Sequence, residues 1–276
     1  MSNLDPNTLT QAVIDRFAAT PDPRLREVMT ALVKHLHAFA QEIHLTEAEW
    51  FQGIEFLTAT GHKCTQTRQE FILLSDVLGL SMLTVAMQND KPPGCTEATV
   101  FGPFHVPNAP VYDNGADVAN GASGQPCRVH GTVRGLAGES IGGATIDVWQ
   151  ADDEGHYDVQ KEGLDHAQAR GVLHSRADGS FDFRTIVAEA YPIPTDGPVG
   201  KMLEATRRSA WRPAHLHFMV QAPGYETLIT HVFRRGGRYL DDDPVFGVRQ
   251  SLIADWVAQP DGTTALAFDF ILNPLR

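Results

Sequence analysis

The sequence predicts an α+β fold, with a helical N-terminal part over residues 1–95 and an antiparallel β-sandwich over residues 96–276. Apolar residues recur at steps of three and four in the first part, which is the period of a helix that buries one face. From about residue 96, Gly, Pro and short alternating runs replace that pattern, as expected for strands joined by turns. With 276 residues, the chain is long enough for one large domain or two modest ones.

The helical period is clearest on one long predicted helix. Its apolar face consists of Leu25, Val28, Met29, Leu32, Leu36, Phe39 and Ile43. Pro21 and Pro23 lie just before this run, where the start of a helix tolerates proline. An apolar stripe of this length must be buried, either inside the protein or in an interface.

Six short runs in the second part predict strands. Each run alternates apolar and polar residues or clusters β-branched residues, and turn residues separate the runs. They cover residues 128–133, 144–150, 180–186, 215–220, 228–233 and 266–271. Because no helical period lies between them, they indicate an antiparallel sandwich or barrel.

Composition and charge are typical of a folded, water-soluble protein. Hydrophobic residues make up 42% of the chain, charged residues 20%, and the net charge is −12. This acidic balance argues against nucleic acid as a partner, because phosphate contacts need clustered Lys and Arg. The N-terminus lacks the pattern of a secretory signal, and the longest apolar run, residues 78–87, is too short for a transmembrane segment. Since Cys64, Cys95 and Cys127 indicate neither a disulfide framework nor a zinc ribbon, we expect a cytoplasmic protein.

The most informative local pattern is the pair His215 and His217 within a predicted strand. Side chains alternate along a strand, so residues at i and i+2 face the same side and place two imidazoles next to each other. Such a pair suits a metal ion. By itself, however, the H-x-H pattern is more often an ordinary pair of surface or core histidines.

Two of the five tyrosines lie where strands are predicted to end. Tyr157 follows the turn at residues 152–155, and Tyr191 precedes residues 192–194, Pro-Ile-Pro. Strand ends often carry binding sites, although a single tyrosine more commonly packs its ring and hydrogen-bonds its hydroxyl. If both tyrosines join the histidines, only a strongly Lewis-acidic ion holds a phenol of ordinary pKa about 10 ionised, which favours Fe(III) over Zn(II).

Motifs spread over nearly the whole chain resemble those of the intradiol ring-cleaving dioxygenase family. They lie at residues 73–79 (LLSDVLG), 100–104 (VFGPF), 131–133 (GTV), 148–150 (VWQ), 155–157 (GHY), 191–194 (YPIP) and 212–218 (RPAHLHF). The motifs follow the family's order at comparable spacing, which is far more specific than any one of them.

The resemblance implies a ferric centre, Fe(III), that is bound by Tyr157, Tyr191, His215 and His217. It also implies that Tyr191 is displaced when a diol binds and can take up a substrate proton. Arg212 is expected to stabilise negative charge on the bound ring, which a permanently charged guanidinium in a dry site does well. The plain alternative for Arg212 is a surface salt bridge.

The family's substrate pocket corresponds, by the same resemblance, to Leu73, Asp76, Val100, Phe101, Gly102, Pro103, Phe104, Ile193, Pro194, Arg212 and Val245. The stretch at residues 100–104 is most similar to the hydroxyquinol-cleaving branch of the family. Asp76 is expected to accept a hydrogen bond from the third hydroxyl of a trihydroxybenzene. Catechol-cleaving relatives usually carry Gln at the position of His231. In this chain, His231 is expected to orient a ligand through a hydrogen bond.

The activity that the resemblance implies is cleavage of hydroxyquinol (1,2,4-trihydroxybenzene) by O2 to 3-hydroxy-cis,cis-muconate, which tautomerises to maleylacetate. It further implies a homodimer joined by the N-terminal helices, with a phospholipid at the helical interface. Two alternatives stay open. The nearer one is a catechol or chlorocatechol 1,2-dioxygenase with the same metal chemistry. The remoter one is a non-catalytic transthyretin-like binding module, which residues 131–148 resemble but which lacks the Tyr and His set.

Overall fold

The computed structural model describes residues 5–66, 68–89 and 91–275. These residues form two compact units, one that ends at Thr58 and one that begins at Ala59. An N-terminal helical region followed by a β-sandwich with mixed sheets confirms the predicted fold class. The boundary expected between residues 95 and 96 stays a prediction.

The first unit consists of helices α1 (Pro6–Arg16), α2 (Pro23–Glu42) and most of α3 (Glu47–Lys63). Helix α2 is the long helix predicted from the apolar stripe, and the side chain of Asp22 caps it by accepting the backbone N–H of Arg24 at 2.8 Å. The large apolar side chains of the stripe are 44% to 56% exposed. These residues are Leu25, Val28, Leu32, Leu36, Phe39 and Ile43.

Three further helices belong to the second unit: α4 (Glu70–Val77), α5 (Leu80–Gln88) and α6 (Pro198–Ala205). Helix α4 buries an apolar face together with two carboxylic acids, Glu70 and Asp76. Among the described residues, no single helix has the length and hydropathy needed to cross a bilayer. Helices α4 and α5, bent by 74° relative to each other, meet that criterion only as a pair.

The strands of the second unit form two five-stranded sheets and one short two-stranded sheet. In chain order they are β1 (Pro126–Gly135), β2 (Thr145–Trp149), β3 (Arg170–His174), β4 (Ser180–Ile186), β5 (Tyr191–Pro192), β6 (Trp211–Arg212), β7 (His215–Gln221), β8 (Leu228–Arg234), β9 (Ile253–Ala254), β10 (Trp256–Ala258), β11 (Thr264–Ala267) and β12 (Phe270–Leu272). One sheet has the order β10-β11-β1-β12, with β4 also paired to β1, and the other has the order β3-β2-β7-β8-β9.

Most strand pairs are antiparallel, as predicted, but β1–β11, β1–β12 and β8–β9 are parallel. Parallel neighbours need a long connection, and the chain passes through the whole second sheet between β1 and β11. The predicted run at residues 266–271 is divided into β11 and β12, which pair with different parts of β1. At the break, the side chain of Asp269 accepts the backbone N–H of Thr132 at 2.7 Å.

Strand β7 links the core to the functional site. Its residues Leu216, Phe218 and Val220 are fully buried in the apolar core between the two sheets. Because side chains alternate along a strand, His215 and His217 face the opposite side of the same sheet. The period-two pattern of β7 therefore fixes both the core packing and the direction of the two imidazoles.

Candidate active site

The two histidines predicted from the H-x-H pattern lie side by side on β7. Their Nε2 atoms are 3.2 Å apart, and both side chains are buried. His215 Nδ1 donates to the carbonyl of Pro213 at 2.7 Å, which fixes the tautomer with an unprotonated Nε2, the form that can bind a metal ion. The ring of His217 stacks on Trp149 at 4.8 Å between centroids.

Tyr157 approaches the histidines from the loop that follows β2. It is the residue before a short 3-10 helix, Asp158–Gln160, and Arg170 of β3 holds that helix through a buried ion pair with Asp158. The Tyr157 ring stacks on Phe104 at 4.4 Å between centroids. Its hydroxyl lies 3.0 Å from His217 Nε2, so the loop delivers the phenol to the histidine pair.

Tyr191 belongs to the two-stranded sheet, in which it is the register partner of Arg212. A Cβ atom on Gly155 would lie 2.6 Å from the Cβ of Tyr191, and Gly155 has φ +83°. Any larger residue at this position would collide with the tyrosine and would be strained in the left-handed region. Gly155 therefore lets the turn after β2 approach Tyr191 closely enough to bring the two phenols together at 3.0 Å.

Four possible ligand atoms thus form one continuous cluster. The spacing is 3.2 Å from His215 Nε2 to His217 Nε2, 3.0 Å from there to Tyr157 Oη, and 3.0 Å on to Tyr191 Oη. Atoms that each bind one small cation at about 2.1 Å lie about 3 Å apart. Each successive spacing therefore fits two atoms that bind the same metal ion. A second possible set, His215, His217 and His231, also has its nitrogen atoms within 4.8 Å of one another.

Burial controls the protonation of this cluster. Loss of water, followed by the charge of Arg212, lowers the pKa of His215 to about 3, and burial lowers the pKa of His217 far below its ordinary value. Burial raises the pKa of Tyr157 and of Tyr191. Neutral imidazoles are the form that binds a metal, whereas a buried phenol ionises only if a strong Lewis acid replaces its proton. The donor set therefore fits a strongly Lewis-acidic ion.

Arg212 is buried rather than exposed, which excludes the surface salt bridge considered for it. Its Nε donates to Asp243 Oδ1 at 3.0 Å and its Nη2 to Asp243 Oδ2 at 3.3 Å, while Nη1 lies 3.1 Å from His215 Nε2. Burial raises the pKa of Asp243, but the charge of Arg212 and its hydrogen bonds outweigh that effect and hold the pKa below its usual value. Asp243 thus keeps one permanent cation beside the ligand cluster.

His231 lies next to the cluster, opposite His217 in the β7–β8 register. Its Nδ1 is 2.7 Å from Thr99 Oγ1, and its Nε2 is buried without a hydrogen-bond partner among the described residues. The Thr99 hydroxyl is buried, and its hydrogen would have no acceptor if it did not donate to His231 Nδ1. We therefore assign Nδ1 as the acceptor of this hydrogen bond. His231 then presents Nε2–H as an unused donor.

The predicted pocket residues are mostly buried, but not all of them line one space. A cavity of about 760 Å³ is lined by Phe104, Ile193 and Pro194, together with Gly155 and other residues between 62 and 196. The remaining predicted residues lie outside this lining. Leu73, Asp76, Val100 and Val245 are at most 3% exposed, whereas Phe101 is 40% exposed. A Cβ on Gly102 would lie 3.1 Å from the ring of His217.

Sequence reasoning missed several residues that support the site. Asp243, which anchors Arg212, and Thr99, which bonds His231, are distant in sequence from the residues that they hold. Trp149 was noted only as part of a motif, although its ring supports His217. The Asp243-Pro244 step, a frequent turn start, is the only local signal for Asp243, and it indicates a turn rather than a partner for Arg212.

Comparisons with known proteins agree with this architecture. The sequence model of the family described as "Dioxygenase" matches residues 100–274, and that of the family described as "Catechol dioxygenase N terminus" matches residues 22–96. The chain is 67% identical to 6-chlorohydroxyquinol 1,2-dioxygenase of Cupriavidus pinatubonensis over 99% of both chains. It is 51% identical to hydroxyquinol 1,2-dioxygenase of Nocardioides simplex, over 96% of this chain and 94% of that protein.

A solved structure gives the same result in three dimensions. The crystal structure of hydroxyquinol 1,2-dioxygenase from Pseudomonas putida DLL-E4 has a TM-score of 0.90 to this chain at 44% identity, and covers 98% of this chain and 99% of that one. The fold and the buried Tyr–His cluster, taken with these likenesses, define a ring-cleaving dioxygenase. The chain belongs to the intradiol ring-cleaving dioxygenase family, and membership of that family implies iron as the cofactor.

Proposed function

We propose that this protein uses Fe(III) to cleave hydroxyquinol between its two adjacent hydroxyls. The observation that carries the proposal is the chain of ligand atoms from His215 to His217, Tyr157 and Tyr191, with successive spacings of 3.0 to 3.2 Å. Two phenols and two imidazoles favour Fe(III), because Zn(II) prefers Cys, His and carboxylate, and Fe(II) oxygenases commonly use two His and one carboxylate.

Tyr157, Tyr191, His215 and His217 would hold the iron, which supplies Lewis acidity that ionises the diol and draws electron density from its ring. Tyr191 Oη takes up one of the protons that the diol loses on binding. Its position supports this role, because it lies at the end of the ligand chain and is bonded within the cluster only to Tyr157. The Tyr157 loop and strand β7 keep the other three ligands in place.

Arg212 stabilises negative charge on the bound ring and its oxygens. The guanidinium is 3% exposed and fixed by Asp243, so it is already oriented before charge develops. A preorganised cation in a dry site is more effective than the same charge in water. His231, with its free Nε2–H, orients a group in the same site through one further hydrogen bond.

The overall reaction needs only the diol and O2. The carbon–carbon bond between the two hydroxyl-bearing carbons breaks, and each of these carbons becomes a carboxyl group that carries one atom of the O2. The product is 3-hydroxy-cis,cis-muconate, which tautomerises to maleylacetate. No external reductant is required, because the four electrons accepted by O2 come from the ring carbons.

The choice of hydroxyquinol over catechol is supported by the relatives and by Asp76. The relatives with 67% and 51% identity carry names that contain hydroxyquinol, whereas a catechol 1,2-dioxygenase of Candida albicans is 34% identical. Asp76 is 2% exposed, and burial raises its pKa even though Ser81 and the charge of Arg212 oppose the shift. A polar group in an otherwise apolar wall is suited to a third ring hydroxyl.

The visible spectrum and the steady-state kinetics of the purified protein test this proposal. A broad tyrosinate-to-iron charge-transfer band is expected for the iron-loaded protein. With hydroxyquinol, catechol and 3-chlorocatechol as substrates, we expect the highest kcat/KM for hydroxyquinol and one O2 consumed per ring opened. A protein that stays colourless after iron is added would remove the four-ligand site, and a preference for catechol would reassign the substrate.

We also propose that the exposed face of α2 forms the interface of a homodimer, with a phospholipid bound at that interface. Six large apolar side chains lie on one face of this helix, each 44% to 56% exposed. Monomeric proteins rarely expose a contiguous apolar patch of this size to water. Leu32→Glu is expected to shift the protein from dimer to monomer in analytical ultracentrifugation. Mass spectrometry of an organic extract tests for the lipid.

The proposed division into residues 1–95 and 96–276 is supported by the family matches, because the N-terminal match ends at residue 96 and the C-terminal match begins at residue 100.

A cytoplasmic location is part of the same proposal, supported by three free cysteines.

A further inference from the structure

Arg208 has an unusual set of contacts for a positively charged side chain. Its Nη1 donates to the carbonyl of Val77 at 2.6 Å, and its Nη2 donates to the carbonyl of Pro244 at 3.1 Å. Its guanidinium lies over the ring of Phe246, 5.3 Å from the centroid. No carboxylate forms an ion pair with it in the described parts of the chain. Arg208 therefore uses its planar fork to join two backbone segments.

The first of these segments is the end of α4, the helix that carries Leu73 and Asp76. Val77 is the last residue of α4, so no later residue of the helix itself can bond its carbonyl. A cation at a helix C-terminus also interacts favourably with the helix dipole. Arg208 thus fixes the end of the helix one residue away from Asp76.

The second segment is the turn at residues 243–247, which we call the 243–247 turn. Within it, Asp243 anchors Arg212 and Val245 is a predicted pocket residue. Phe246 has φ +58°, which is strained for an aromatic residue, and such a conformation persists only where its surroundings hold it. Gly79 is the second residue after α4, and a Cβ on it would lie 3.5 Å from the Phe246 ring. This ring therefore packs between Arg208 and Gly79.

We propose that Arg208 is a positioning residue that sets the distance between α4 and the 243–247 turn, and with it the width of the substrate pocket between Asp76 and Val245. This inference rests on the proposed function, in which Asp76 and Val245 lie on the two sides of the pocket that receives the ring substituents. Within the described residues, Arg208 forms its hydrogen bonds to Val77 and Pro244 and none to the ligand cluster or to Arg212. The bonds that hold Arg212 to Asp243, and Asp243 to the N–H of Gly247, do not involve it.

Arg208→Met tests the proposal, because methionine keeps an apolar stem over Phe246 and removes every donor. We expect KM for hydroxyquinol to rise about tenfold, with kcat within about twofold of the wild type and an unchanged charge-transfer band. For catechol, which lacks the third hydroxyl, we expect KM to change less than twofold. Arg208→Lys keeps the charge but lacks the planar fork of donors, so its KM for hydroxyquinol is expected to lie between those of the wild type and Arg208→Met.

Amide hydrogen exchange gives a second readout that does not depend on activity. In Arg208→Met, exchange is expected to accelerate in residues 70–78 and in the 243–247 turn together. Arg249→Met is the matched control, because Arg249 also donates to backbone carbonyls next to this turn, those of Phe246 and Val248, but does not reach α4. In that variant, acceleration is expected only around residues 246–249, with no change in KM.

The possible outcomes separate the two proposals. A fall in kcat with unchanged KM, or acceleration in only one of the two segments, overturns the positioning role of Arg208. If Arg208→Met does not fold, Arg208→Lys carries the same test, since an unchanged KM and unchanged exchange in that variant also overturn it. A wild-type protein that cleaves no diol contradicts the proposed function instead, while the exchange experiment still tests whether Arg208 joins α4 to the turn.

Discussion

The predicted ligand cluster and the proposed pocket wall, formed by α4 and the 243–247 turn, are held in different ways. Three of the four predicted ligands lie on strands, and their direction follows from strand register: His215 and His217 from β7, and Tyr191 from its pairing with Arg212. The fourth, Tyr157, lies on the loop after β2, which the buried ion pair of Arg170 with Asp158 holds. The wall formed by α4 and the 243–247 turn has no strand in it. Side-chain bonds from Arg208 and Arg212 hold it instead.

This difference separates chemistry from selectivity. A strand in the middle of a sheet has little freedom to move, so we expect His215 and His217 on β7 to keep their spacing whatever substrate binds. A helix end and a turn joined by single hydrogen bonds can change their separation at lower cost, which allows substrate preference to vary on one fold. Changes to the cluster should therefore affect all substrates equally, and changes to the wall should affect them unequally.

The largest effect is expected for Tyr157→Phe. The change removes one anionic ligand from the cluster but keeps the ring that stacks on Phe104. We expect loss of the charge-transfer band, weaker iron binding, and a fall in activity of more than about a thousandfold on hydroxyquinol and catechol alike. Visible spectroscopy, metal analysis and steady-state assays measure these three quantities.

Tyr225→Phe is the matched control for this prediction. Tyr225 also donates its hydroxyl, in this case to Glu139 at 2.7 Å, but it lies outside the cluster. Its removal is expected to leave colour, iron content and activity unchanged. If Tyr157→Phe keeps both its iron and its colour, the alternative set of His215, His217 and His231 becomes the better candidate for the metal site.

The next largest effect is expected for Asp243→Asn. Arg212 and Asp243 are 3% and 2% exposed, and loss of one charge in a buried pair leaves the other uncompensated, which costs about 3–5 kcal/mol of folding free energy. Arg212 also loses its fixed orientation, so kcat should fall about a hundredfold for every substrate. Urea unfolding and steady-state kinetics check the two parts.

Asp255→Asn provides the comparison, because Asp255 forms a 2.8 Å ion pair with Arg235 on the surface, where the side chains are 68% and 51% exposed. Water and salt screen such a pair, so no measurable change in stability or kcat is expected. Equal effects of the two substitutions would mean that Arg212 does not depend on Asp243.

The sequence was informative where function depends on local periodicity. The stripe of α2, the strand β4 at Ser180–Ile186, and the outward direction of His215 and His217 all follow from a period of 3.6 or of two. The parallel pairing of β1 with β11 and β12 could not be predicted in this way, because it depends on which distant segment returns to an open edge. The ion pair of Asp243 with Arg212 could not be predicted for the same reason, since tertiary packing rather than a local pattern creates it.

The wall should show the unequal effect that the cluster does not. Asp76→Asn replaces a buried carboxyl on α4 with an amide of the same shape. We expect kcat/KM for hydroxyquinol to fall about tenfold while the value for catechol changes little, because only hydroxyquinol has a third hydroxyl that can hydrogen-bond to the carboxyl. Competition between the two substrates in one vessel measures the ratio directly. An unchanged ratio would remove Asp76 from substrate selection.

The smallest effect is expected at the border between the two regions, for Thr99→Val. Valine keeps the shape of threonine but removes the hydroxyl that lies 2.7 Å from His231 Nδ1. The buried nitrogen then lacks a partner and the ring can adopt either tautomer, so the Nε2–H donor is present only part of the time. We expect kcat to fall about threefold to tenfold, in similar proportion for hydroxyquinol and catechol, with the iron band retained.

Thr230→Val separates this tautomer effect from a general loss of a buried hydroxyl. Thr230 precedes His231 on β8, its side chain is also buried, and its hydroxyl donates to the carbonyl of Glu97 at 2.7 Å. Because neighbouring residues on a strand face opposite sides, Thr230 points away from the cluster. Its substitution is expected to lower stability by about 1 kcal/mol without a change in kcat. A fall in kcat for both variants would mean that strand β8, rather than the tautomer of His231, controls the rate.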